Sequence, residues 1–77
     1  MNATIMGEYV QVDGSIRYLV AVGGHEVTVD CELDGQLSAF VRGPDPENAA
    51  ELRRAACQAV RGIETLARFC QRAQQAT

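Results

Sequence analysis

From residue 3 to residue 42 apolar and polar positions alternate with a period of two, the mark of strands with one face packed and one face turned out. Glycine pairs cut the alternation at regular intervals: "DG" at 13–14, "GG" at 23–24 and "DG" at 34–35. Such pairs favour two-residue hairpin turns, because their residues tolerate positive φ. The pattern predicts strands over 3–12, 15–22, 25–33 and 36–42, so that residues 1–42 form the sheet. The connections are too short for a parallel crossover, so the sheet is expected to be antiparallel.

Two-residue turns also set the register. They pair Val12 with Ser15, Val22 with His25 and Leu33 with Gln36. The expected core face then holds Ile5, Tyr9, Ile16, Tyr18, Val20, Val22, Val27, Val29, Cys31, Leu33 and Phe40. The opposite face mixes acids (Glu26, Asp30, Glu32) with apolar residues (Val10, Leu19, Ala21, Leu37, Ala39, Val41). A bulge in any strand would exchange part of these lists.

The period changes after "GPDPEN" at 43–48. Asp45 is the expected N-cap, with Pro46 at the first helical position and Glu47 beside the positive helix end. An amphipathic helix is expected over 46–75, with its seam on Ala49, Leu52, Ala56, Ala59, Ile63, Leu66, Cys70 and Ala73. Val60 and Ala67 widen the seam. The expected fold is α+β: a four-stranded antiparallel meander, ββββα, with one long C-terminal helix packed across the sheet. At 77 residues the chain is one domain, 1–77, with a hydrophobic fraction of 47% that supports a core.

Charge divides the chain. Residues 1–45 carry seven acids and two arginines, and residues 46–77 carry three acids and five arginines, for a net −3. Arg54, Arg61, Arg68 and Arg72 fall within about 40° of one another on a helical wheel, opposite the seam. Such a ridge could follow a phosphate backbone. The acidic total, with a pI near 4.9, and the absence of a stacking aromatic on the ridge favour a solvated or protein-facing surface instead.

Gly62 interrupts the helix at a cost of about 1 kcal/mol relative to alanine. It lies on a small apolar flank beside Phe69, where another element could approach closely. The mixed sheet face has an apolar centre and an acidic rim, as a protein-binding or homodimer face would. The expected protein-binding residues are therefore Leu19, Ala21, Glu26, Asp30, Glu32, Leu37, Ala39, Val41, Gly62 and Phe69, with the charged ridge beside them.

Candidate chemistry is sparse. Three cysteines without C-x-x-C spacing and a single histidine give no metal pattern. "VGGHEV" lacks the second histidine of a zinc protease motif, and no phosphate-binding glycine loop is present. No catalytic residue, metal or cofactor is expected. The N-terminus has no basic start and no apolar run, and no stretch approaches the length of a membrane span. A cytoplasmic, non-membrane setting is the expectation.

"IRYLVAVGGHEV", the cysteine-bearing strand after it and "ELRRAACQAVRGIETLARF" together resemble a family of short uncharacterised bacterial proteins, a domain of unknown function. Its members carry V-R-F-x-A-x-V-D-G-x-x-V, a C-x-I-S strand and a helix with R-x-x-I-E-x-x-A-R. The chain departs from that pattern at "CELDGQLSAF", which lacks the serine-led helix start, and has no strand pattern after the helix. The resemblance implies a fold and no activity.

The functional expectation is a small non-enzymatic protein-interaction module that self-associates or binds a larger complex as an adaptor or inhibitor. Inhibitors carried by mobile elements have this size and acidity, by analogy only. The alternative is a nucleic-acid-associated regulator that uses the arginine ridge.

Overall fold

A computed structural model describes residues 2–63. Four strands, β1 (Ala3–Val10), β2 (Ile16–Val22), β3 (His25–Cys31) and β4 (Leu37–Val41), are followed by one helix, α1 (Ala49–Ile63). The sheet is antiparallel throughout, in the order β1-β2-β3-β4. The helix lies across one face and touches all four strands. This is the expected α+β meander.

Helix α1 starts three residues later than expected. Pro46 does not open it: its carbonyl accepts a turn bond from the Ala49 N–H at 3.1 Å. The first intrahelical bond runs from the Leu52 N–H to the Asn48 carbonyl at 3.0 Å, which makes Asn48 the N-cap. Asparagine is among the residues that favour this position, and Glu51 in the first turn suits the positive helix end. The described part of the helix has 15 residues. Positions 64–75 of that expectation lie outside the described residues.

The core collects Ile16, Tyr18, Val20, Val22, Val27, Val29, Cys31 and Val41 from the sheet and Ala49, Leu52, Ala56 and Val60 from the helix. The small side chains of Ala49 and Ala56 let the helix axis approach the bulky valines and Tyr18. Val60, not Ala59, takes the seam position after Ala56.

The three hairpins separate into two kinds. Gly23 and Gly24 both have positive φ (53° and 81°), so this Gly-Gly pair makes the expected two-residue turn between Val22 and His25. The two Asp-Gly turns differ, because neither Asp13 nor Asp34 has positive φ. Only Gly14 (φ 90°) and Gly35 (φ 88°) do. In each case the loop gains a residue and closes as a three-residue turn. Gln11 then stands opposite Ser15 through a 2.8 Å bond, and Glu32 stands opposite Gln36 at 2.9 Å.

One added residue reverses the facing of a strand. On β4, Leu37, Ala39 and Val41 stand beside Cys31, Val29 and Val27 on the core side. Phe40, expected in the core, stands beside Thr28 on the outer face and is 59% exposed. Leu33 belongs to the loop. On β1, Tyr9 moves out of its expected core position and pairs with Arg17. A bulge at Met6 then restores the facing, so Ile5 reaches the core side opposite Val20 as expected.

Candidate functional site

Helix α1 covers one face of the sheet, and the other face carries the candidate site. Its side chains stand in three rows, set by the strand register. The first row runs Tyr9, Arg17, Asp30, Ser38 from β1 to β4. The second runs Gly7, Leu19, Thr28, Phe40. The third runs Thr4, Ala21, Glu26 and then Arg42, whose N–H reaches the Glu26 carbonyl.

The middle row is uncharged and the two flanking rows hold the charges. Arg17 and Asp30 face each other across β2 and β3 and meet in a two-pronged bond, Nε to Oδ1 at 2.8 Å and Nη2 to Oδ2 at 3.1 Å. Arg42 Nη1 donates to Glu26 Oε2 at 2.7 Å. These bonds, and then the charges of the acids, hold both guanidinium groups protonated more firmly than usual. The face therefore shows two arginines and two acids, already paired within the chain.

Between the pairs lie Leu19, which is half-buried, and Phe40, and Ala21, also half-buried, stands beside Glu26 in the third row. At the β1 edge Tyr9 is 56% exposed, and its ring lies close to Gly7: a Cβ on Gly7 would stand 3.1 Å from the ring's Cε2 and 3.2 Å from its hydroxyl. An aromatic laid over a strand glycine in this way covers backbone that a side chain would otherwise shield.

The expected protein-binding residues divide accordingly. Leu19, Ala21, Glu26 and Asp30 do share the outer face, and Glu32 is exposed where β3 runs into its turn. Leu37, Ala39 and Val41 do not share it: Val41 is buried, and Leu37 and Ala39 pack against the core. Their removal from the face follows from the three-residue turn before β4. Gly62 is exposed, and among the described residues nothing comes within 4 Å of where its Cβ would stand. Phe69 lies outside the described residues. Of the arginine ridge, Arg54 and Arg61 are exposed on α1, while Arg68 and Arg72 lie outside the described residues.

The sequence placed Arg17 on this face without marking it as a binding residue, and it missed Phe40, Tyr9 and Arg42 as members of the site. A signal was present. Valine or leucine before Asp-Gly, with a polar residue after it, occurs in both "QVDGS" and "ELDGQ" and fits a three-residue turn as well as a two-residue one.

Among the described residues no group of three or more His, Cys, Asp or Glu is placed to hold a metal ion. No described helix is long and apolar enough to cross a membrane. Cys31 is buried, with its thiol donating to the Glu32 carbonyl at 3.8 Å, and Cys57 is half-buried. No family model, no curated protein and no solved structure matches this chain.

Proposed function

We propose that this protein is a small protein-interaction module whose working surface is the outer face of the sheet. One observation carries the reading. Phe40 stands 59% exposed in an uncharged row between two ion-paired rows. An aromatic side chain at such a place is a typical anchor for a partner's pocket. The charges beside it already have partners, so covering the face leaves no arginine or carboxylate unpaired.

The test is a comparison of captured proteins. Immobilised wild-type chain and its Phe40→Asp variant are exposed to the same host extract, after circular dichroism has shown both to be folded. The variant is expected to lose the partners that the wild type retains. Identical capture by the two chains would remove the outer face from consideration. Charge reversal of Arg54 and Arg61 serves as the contrasting surface, since the nucleic-acid reading requires it and this one does not.

A further inference from the structure

We infer that the outer face binds a second copy of this chain, as two sheets packed face to face about a two-fold axis that runs along the strands between β2 and β3. The inference rests on the interaction reading above and names its partner. Packed sheets keep their strands within about 30° of each other, so a pairing of rows is well defined. The axis lies midway in a sheet of order β1-β2-β3-β4, so it sets β2 of one copy over β3 of the other, and β1 over β4.

Each row then meets the same row of the partner, reversed. Arg17 comes over the partner's Asp30, and Asp30 over the partner's Arg17. Two ion pairs become one cluster of four charges with alternating sign. Leu19 comes over the partner's Thr28. Phe40 comes over the partner's Gly7, which the Tyr9 ring approaches, so aromatic meets aromatic beside the residue with no side chain.

The other face-to-face arrangement, with the axis across the strands, fails on charge. It would set the first row against the third. Asp30 would then stand over the partner's Glu26, acid on acid. The register thus selects one of the two orientations.

The face spans four strands at about 4.8 Å and seven residues at about 3.4 Å, roughly 450 Å² on each copy. That is below the roughly 800 Å² per partner of a standard stable complex, so the pair is a weak one.

Sedimentation velocity across roughly 10 µM to 1 mM reads the pairing. The average mass of the wild type is expected to climb from 8.3 kDa toward twice that value. Phe40→Asp is expected to stay at the monomer mass. A second arm uses charge. Arg17→Asp leaves two acids side by side in the first row, and Asp30→Arg leaves two arginines there. Each folded variant alone is expected to be monomeric, and an equimolar mixture at physiological salt is expected to pair more tightly than the wild type by at least tenfold. Adding Phe40→Asp to both should abolish that pairing.

A wild type that stays monomeric to 1 mM together with a mixture that does not pair overturns the inference. So does pairing that Phe40→Asp leaves unchanged, which would place the contact elsewhere. If the chain is monomeric and Phe40→Asp still loses captured proteins, the interaction reading stands and only the second copy is excluded.

Discussion

The Asp13 carboxylate closes its turn by accepting two hydrogen bonds from Ser15, the backbone N–H at 2.9 Å and the hydroxyl at 2.6 Å, both on the same oxygen. Asp34 takes the first of these from Gln36 at 3.0 Å, so the two Asp-Gly loops are one device used twice. Ser15 is buried, and its hydroxyl reaches the Asp13 carboxylate.

The Ser15 hydroxyl, and then its backbone N–H, hold the Asp13 carboxyl below its ordinary value of 3.8. A carboxyl whose pKa is lower folded than unfolded stabilises the fold above the unfolded value and stops doing so as pH falls through the folded one. Asp13→Asn is therefore expected to be less stable than the wild type at pH 7, with a gap that narrows below about pH 4. Urea unfolding at pH 7, 4 and 3 checks this. A gap of constant size would mean that the charge of Asp13 plays no part.

Gly35 and Gly62 are expected to respond to alanine with opposite signs. Among the described residues a Cβ would meet nothing within 4 Å at either position, so packing among them does not decide the outcome. Gly35 has φ +88°, a conformation that costs an L-residue about 1–2 kcal/mol, and Gly35→Ala should destabilise by that amount. Gly62 is in regular helix, where alanine is better by up to about 1 kcal/mol. Gly62→Ala should raise the melting temperature by a few degrees. A fall instead would reveal a close neighbour on that flank.

Leu52 is fully buried, between Ala49 and Ala56 on the helix seam. Leu52→Ala should cost about 2–5 kcal/mol. For a domain of this length that is a large part of the total stability, so the variant is expected to be largely unfolded at 37 °C. Circular dichroism during heating reads this directly.

The meander, the second hairpin and the core valines of β2 and β3 were legible in the sequence, because strict alternation and a double glycine admit one register. The facing of β4 and the outer half of β1 was not. It depended on whether Asp13 and Asp34 adopt positive φ, and aspartate can do so or not. Each time it did not, and the one-residue change carried Phe40 and Tyr9 out and Leu37, Ala39 and Val41 in. Ile5 was placed correctly only because the Met6 bulge compensates the longer turn. The helix start shifted for a similar reason: Asp45 and Asn48 both suit an N-cap, and the Pro46–Ala49 turn favoured the second.

Adjacent residues on β4 provide the sharpest test of that register. Val41 is 8% exposed and Phe40 59%, although a two-residue turn would reverse them. Val41→Asp would place a carboxylate among Val27 and the helix seam, with nothing there to pair it. Such a change costs several kcal/mol, enough to unfold a domain this small. Phe40→Asp puts the same carboxylate in water beside Thr28 and loses only strand propensity and partial burial, about 1 kcal/mol. Denaturant titration of the two variants should therefore give one that is unfolded in buffer and one that melts close to the wild type. The reverse outcome would restore the two-residue turn, return Phe40 to the core and remove the anchor from the outer face.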